Sequence, residues 1–499
     1  MNEEINYFEA MISDEERARL PYLETIPQLL EKCRSDYAGQ LAVADQQQRL
    51  TYEALVENVG RRRQLLAEKQ IPEGGHVGVM CRNTVDAMCW FLAIPSSGRV
   101  LLMLPGSLNA QALAGVAKKF DLDAVVMEAC FQPLAEGLSI PVIPAEACAE
   151  TVAPAADVRK DTDAAIFFTG GTTGAPKGAV LSHGALMRGA HNGTYRPAGT
   201  VFGNRYILML PMSHIFGAVC GFLGCLYTGS EIYGCQDVRS GIVSIPVIRP
   251  TSLVLVPGIV EIILNLARAK GVGFLGDLKT IICGAAPVPA RLMSDFAKYG
   301  INLFAGYGMT EGANLTCANI DTDQKPHSMG KFYPGQEHKV VDGELWIRGD
   351  NLMKGYYKDP EQTALVLTED GWLKTGDLVS FDEDGYITIV GRSKNLIILS
   401  NGENVSPEEI EDTFNQSGII QDCLVKEGEM NGHAVLSIEI LPLMPAFAGK
   451  TPEEIDAAIR AEVKRINAQL PGYKQVSRIV IRTEDFKRTG AMKIDRLHS

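Results

Sequence analysis

The sequence predicts an α/β protein: a large N-terminal domain of doubly wound α/β subdomains plus a β-rich subdomain, followed by a small, mobile α+β C-terminal domain. Three observations predict it. Strand-like and helix-like apolar patterns alternate through the first half. The texture then shifts to short strands separated by Asp-Gly pairs, and a new helix-opening signal follows Arg392. At 499 residues the chain is several domains long, and 46% hydrophobic residues with 21% charged ones exclude disorder as its main state.

The alternation begins with a helical run over 52–69, a strand at 76–80, a helix at 84–92, a strand at 100–104, and a further helix before a strand at 124–127. It resumes with buried strands at 253–256 and 280–283, each followed by a helical segment. From Tyr206 to Ser230 there is no charged residue, a length that could span a bilayer. Pro211, Ser213 and His214 interrupt it and four glycines stud the remainder, so it is read as a buried strand, loop and helix.

After about Lys331, the pairs Asp342-Gly343, Asp370-Gly371 and Asp384-Gly385 suit hairpin turns. Residues 1–391 and 392–499 are taken as the two domains. In the second, Ser406-Pro407-Glu408-Glu409 has the form of a capping box with Pro at the first helical position, and a further helix opens at Thr451-Pro452. Strands are expected at 422–426, 433–441 and 478–481.

Charge and cysteine content narrow the setting. The net charge of −13 argues against bulk capture of nucleic acid or anionic membrane. Eleven scattered cysteines without a C-x-x-C pair fit a reducing compartment and disfavour a disulfide framework or thiolate metal site. The acidic N-terminus has no basic flank or apolar run, so the expected location is the cytoplasm.

The strongest local signal is Phe167 to Gly178, FFTGGTTGAPKG, after a strand-like segment at 163–168. Glycines let backbone N–H groups approach an anion, threonines add donors and Lys177 adds positive charge, so the composition suits a phosphate-binding loop. A surface turn is the plainer reading. A Walker A loop is excluded, because Pro176 precedes the lysine and Gly178 follows it. In AGYGMTEG, Ala305 to Gly312, paired glycines would leave the Tyr307 ring free to lie on a flat base, while Thr310 and Glu311 offer a hydroxyl and a ligand for Mg²⁺. Gly284-Ala285-Ala286-Pro287 ends a buried strand with no bulky side chain. Asp377 could accept two ribose hydroxyls, and Arg392 could bind sugar or phosphate oxygens.

In order along nearly the whole chain, FFTGGTTGAPKG, PMSHIFG, GAAP, GYGMTE, GELWIRG, WLKTGDL, GRSKNLIILSNGENVSPEEIE and RTGAMKIDR resemble the adenylate-forming superfamily, which includes acyl-CoA synthetases, aryl-CoA ligases and luciferases. The resemblance implies an acid–thiol ligase: ATP and a carboxylic acid give an acyl-adenylate and pyrophosphate, and coenzyme A then displaces AMP. It also implies the roles of particular residues. Thr169, Gly170, Gly171, Thr172, Thr173 and Lys177 would hold the triphosphate, Thr310 would touch the α-phosphate and Glu311 would hold Mg²⁺. Gly284, Ala285, Ala286, Pro287, Gly306, Tyr307, Gly308 and Met309 would frame the nucleotide, with Asp377 on the ribose and Arg392 close by.

Lys493 matches the lysine that stabilises charge in the first step, Lys394 the hinge, Gly402 the segment turned towards the thiol channel, and His214 a position beside the carboxylate pocket. The segment after Lys394 most resembles fatty acyl-CoA ligases, which favours a medium or long acyl chain over an aryl acid. The departures are Lys487 and Met492, where relatives have Pro and Gly, and Ile398 and Ser400, where some carry basic residues. They keep open transfer to a carrier-protein phosphopantetheine and a non-catalytic ATP-binding relative.

Overall fold

The computed structural model describes residues 7–169, 177–197, 199–399, 404–430, 433–488 and 494–496. A seven-stranded sheet runs, edge to edge, through Gly355–Tyr356, Lys177–Ser182, Asp163–Thr169, Val100–Met103, His76–Met80, Leu122–Met127 and Val142–Pro144. Its last five strands are parallel and its first two join antiparallel. Alternate side chains of these strands enter two separate cores. Val79, Leu101 and Val126 lie in the main one, and Met80, Leu102 and Val125 in another beneath Phe120. Burial on both faces is what continuous apolar parallel strands require.

The helix Tyr52–Glu68 starts where the Thr51 hydroxyl accepts the Ala54 N–H at 3.2 Å. The helix expected at 84–92 runs over Val85–Ser96, because every one of those residues except Asp86 is buried and tertiary packing carries the helix on through Pro95. The uncharged stretch takes up most of the strand Arg205–Leu208, then a loop and a π-helix over Phe216–Leu223. Gly217 lets that helix lie close to the loop, since a Cβ there would come 2.5 Å from the Pro211 carbonyl. Among the described residues, no helix is long and apolar enough to cross a membrane.

A second sheet holds Ser252–Leu255, Thr280–Gly284 and Asn302–Met309 in parallel, then Asn314–Asn319 and Lys331–Phe332 antiparallel. The β-rich part is a four-stranded antiparallel sheet of Glu337–Val341, Glu344–Arg348, Leu373–Phe381 and Ile387–Arg392. Asp342 and Gly343 connect the first pair with φ of 51° and 81°, the left-handed values a two-residue hairpin needs.

Beyond Arg392 a separate core of Ile410, Phe414, Ile438, Ile459 and their neighbours packs the helices Pro407–Asn415 and Pro452–Asn467 against the strands Ile420–Met430, His433–Pro442 and Arg478–Ile481. The first strand is longer than the expected 422–426, because its pairing with His433–Pro442 continues through residues that are not apolar. Thr451 and Glu454 form a capping box. Ser406 does not: its hydroxyl donates to Glu408 Oε2 at 3.1 Å, which draws it away from the helix N–H groups.

Candidate active site

Three strand ends and a short turn bring the predicted residues together. Thr169 and Lys177 face each other in the antiparallel pair of Asp163–Thr169 with Lys177–Ser182. The turn Thr310–Gly312 packs beside both of those strands. Gly170, Gly171, Thr172, Thr173, Gly402 and Lys493 lie outside the described residues.

Around that turn, the Tyr356 hydroxyl donates to Glu311 Oε1 at 2.8 Å. The Lys177 ammonium lies 5.1 Å from the Tyr356 ring centroid and donates to Gln362 Oε1 at 2.6 Å. Burial and then the Glu311 charge raise the Tyr356 phenol above its usual range, so it stays a donor and orients the carboxylate. Gly355-Tyr356 reaches this position by pairing antiparallel with Ala179-Val180.

The second cluster is built on Asp377, which is 2% exposed. It lies directly opposite Arg392 across the pair Leu373–Phe381 and Ile387–Arg392. Arg392 Nε donates to Oδ1 at 2.7 Å, and the Tyr307 hydroxyl donates to Oδ2 at 2.6 Å. Tyr307 is therefore not the free ring expected from the flanking glycines. It is only 7% exposed and belongs to the main core, with its phenol raised by burial and then by Asp377. Lys394, two residues past Arg392, has its ammonium lowered by burial and by Arg392 and Lys177, with Asp377 and Glu311 opposing. The residue expected to act as a hinge thus also feels the charges of both clusters.

Beside Tyr307 the backbone forms a ledge without side chains of its own. Gly284 and Gly306 are paired in parallel register, and a Cβ on Gly284 would come 2.7 Å from the Gly306 carbonyl and 3.4 Å from the Phe216 ring. Ala285 follows with φ of +64°, a strained value for a residue with a side chain, and Ala285 and Ala286 are half-buried while Pro287 is exposed. Gly308 precedes half-buried Met309 and Thr310, and a Cβ on it would sit 1.7 Å from the Asn314 carbonyl. His214 is half-buried just before the π-helix, and its Nδ1 accepts the Phe216 N–H at 3.3 Å. The ring that packs on Gly284 therefore belongs to a neighbour of His214.

Tyr356, Gln362 and Thr375 are site residues that sequence reasoning missed. Thr375 accepts the Asp377 N–H at 3.1 Å. Only Thr375 carried a signal, its place two residues before Asp377 in WLKTGDL. Among the described residues no cluster of three or more His, Cys, Asp or Glu could hold a metal, so Glu311 stands as a single carboxylate. That suits a hard cation which takes one or two protein carboxylates and completes its shell with substrate phosphates and water.

The model for the AMP-binding enzyme family matches residues 30–357, and that for the AMP-binding enzyme C-terminal domain matches 394–497. The chain belongs to the AMP-binding enzyme family. Relatives of this AMP-binding enzyme include 4-coumarate–CoA ligase-like 6 of Arabidopsis thaliana, 33% identical over 358 residues. That stretch is 65% of this chain and 60% of the relative, so less than two thirds of the relative's length is matched. Long-chain-fatty-acid–CoA ligase FadD15 of Mycobacterium bovis is 27% identical over 70% of this chain and 69% of its own. The crystal structure of the anthranilate CoA ligase AuaEII in complex with anthranoyl-AMP has the same fold, with a TM-score of 0.84 at 21% identity over 96% of this chain and 97% of that one.

Proposed function

We propose that this AMP-binding enzyme activates a carboxylic acid with ATP to an acyl-adenylate and pyrophosphate, and then passes the acyl group to the thiol of coenzyme A with release of AMP. The observation that carries this reading is that one strand and the turn after it bear Gly306 of the glycine ledge, Tyr307 of an acidic ribose-type site, Tyr307–Asp377–Arg392, and Glu311 of a phosphate-side site, Lys177–Tyr356–Glu311. An acid and ATP repel each other, so the chain's task is to supply aligned donors and cations.

In this reading the ledge of Gly284, Ala285, Ala286 and Gly306 receives the adenine edge-on, with the core-anchored Tyr307 as a wall. Asp377, held by Tyr307 and Arg392, presents its carboxylate to the ribose hydroxyls. Lys177 and the Thr169 end of the loop hold the phosphate tail, and Thr310 touches the α-phosphate. Glu311, oriented by the Tyr356 hydroxyl, would hold Mg²⁺, which supplies charge neutralisation on the phosphates. His214 borders the acid. Lys493 from the C-terminal unit stabilises the charge that develops as the acid oxygen displaces pyrophosphate.

We place the domain boundary between 391 and 392 and the hinge at Lys394. The second step follows rotation that withdraws Lys493 and brings the Gly402 segment to the thiol. The favoured acid is an acyl chain of medium or long length, and the favoured compartment is the reducing cytoplasm. Acid-dependent exchange of labelled pyrophosphate into ATP tests the reading, since a protein that only binds nucleotide gives none. Thioester formation with coenzyme A against carrier-protein phosphopantetheine then identifies the acceptor.

A further inference from the structure

Among the described residues, Arg196 is a buried cation without a counter-ion. It follows the helix His183–Asn192 and is 3% exposed. Among the described residues it forms no ion pair, and its Nε and Nη1 have no hydrogen-bond partner. Only Nη2 reaches a carbonyl, that of Gly193, at 3.3 Å. Its face lies 5.3 Å from the Tyr206 ring centroid and the guanidinium also meets the buried Cys225 thiol, contacts that steady it without supplying an anion. A desolvated guanidinium with idle N–H groups is costly unless an anion offsets it.

The idle donors have somewhere to point. Arg196 lines a cavity of about 20 Å³ together with Tyr195, Tyr333, Ile282, Phe304 and Ala318. That volume takes one water-sized group, the end of a ligand rather than a whole one. Its position follows from strand register. Ile282 pairs with Phe304, and two residues on in both strands Gly284 pairs with Gly306, which in turn pairs with Ala318. Residues two apart share a sheet face, so the cavity lies on the same face as the ledge and about 7 Å deeper along the strands.

That face is also the more open one. Ile282, Phe304 and Ala318 keep 7–8% exposure, while Ile281 and Cys283 on the opposite face have none. The wall between ledge and cavity is Leu315, which lines the cavity and whose Cδ2 would lie 2.7 Å from a Cβ on Gly306.

We infer that Arg196 receives a negatively charged group at the far end of the acid, so that the substrate is a dicarboxylic acid or another acid with a second anionic end. The reacting carboxylate lies at the ledge, the linker passes Leu315, and the distal anion takes the Nε and Nη1 donors. This rests on the adenylation reading above and narrows its substrate class.

The test is pyrophosphate exchange by the full-length protein over two series of equal carbon number, straight-chain monocarboxylic acids and α,ω-dicarboxylic acids. At the best length the diacid is expected to exceed the monoacid in kcat/KM by about ten- to a hundredfold, the loss typical of a charged hydrogen bond. Arg196→Gln is expected to lower kcat/KM for the diacid far more than for the monoacid, mainly through KM, and Arg196→Lys to restore part of the difference. Equal or better use of monoacids by the unaltered protein overturns the inference and leaves adenylation standing; that comparison needs no variant to fold. Equal loss for both series in Arg196→Gln also overturns it. If no acid of either series supports exchange, the reading of an aliphatic acid substrate falls and this inference falls with it.

Discussion

In the body of the molecule, His183 and His191 are imidazoles buried among apolar side chains and pushed down to about 4, with burial the main cause for each. In the C-terminal unit, Asp412 is a carboxylate pushed up to about 6, by burial first and then by the charge of Glu408. These groups therefore respond to pH in opposite directions. The folded body keeps its imidazoles neutral while an unfolded chain would take up protons, so that stabilisation is present above about 6.5 and lost as pH falls towards 4. Folded Asp412 keeps its proton while an unfolded chain would release it, so that stabilisation is present below 3.8 and lost as pH rises through about 6.

The contrast extends to the polar networks. In the body they are closed around the ledge, with Asp377 between Tyr307 and Arg392 and Glu311 under Tyr356. In the C-terminal unit they gather near the hinge: Asn395 donates to Glu408 at 2.5 Å, and Arg496, three residues beyond Lys493, pairs with both Glu408 and Glu411. One region holds the nucleotide-side groups in a fixed frame. The other ties its tail to the start of its own core.

The largest expected effect breaks the division of labour itself. Lys493→Ala should slow acid-dependent pyrophosphate exchange by about 10²–10³-fold, the usual cost of removing one transition-state charge stabiliser. Thioester formation from a supplied acyl-adenylate should fall far less. Similar losses in both assays, measured by single-turnover quenching, would show that the tail is not confined to the first step.

Next comes Asp377→Ala, which takes the charged acceptor from the buried Tyr307 hydroxyl and should lower stability by about 3 kcal/mol, while Arg392, 38% exposed, is rehydrated. Its KM for ATP should rise in the exchange assay. A normal ATP saturation curve with a lowered melting temperature would reduce Asp377 to a structural role. Tyr356→Phe is milder. Loss of one hydrogen bond to a charged group, about 1.5–3 kcal/mol, should appear as weaker Mg²⁺ dependence of exchange, read from a metal titration.

The smallest effect sharpens the pH contrast. Asp412→Asn should flatten the fall in melting temperature of the C-terminal unit between pH 4 and about 6, followed by calorimetry, and leave the acid-side loss of the body in place. A body transition that shifts by the same amount would show that the two cores unfold as one.

Much of this architecture was legible along the chain because its causes are local. The strand His76–Met80 and the hairpin turn at Asp342-Gly343 occur where apolar period and turn chemistry put them. The helix at Val85–Ser96 ran past its expected end because burial on every side overrode the local signal. Ser406 makes no cap; its hydroxyl donates to Glu408 instead. The motif residues Thr310, Glu311, Asp377 and Arg392 were identifiable as a family pattern, yet nothing in that pattern names Tyr356 or Gln362, which meet their partners across 45 and 185 residues.

The sequence by itself determined the layers and the residue types at the site, since periodicity, glycine placement and turn pairs act over a few neighbouring residues. Only the tertiary structure decided that Asp377 stands opposite Arg392, that the Tyr307 ring is buried, and that Arg196 is a desolvated cation facing a cavity beside the ledge. Those outcomes depend on sheet order, register and volume filling between segments far apart in the chain. Local pattern carries no information about them until the strands have chosen their neighbours.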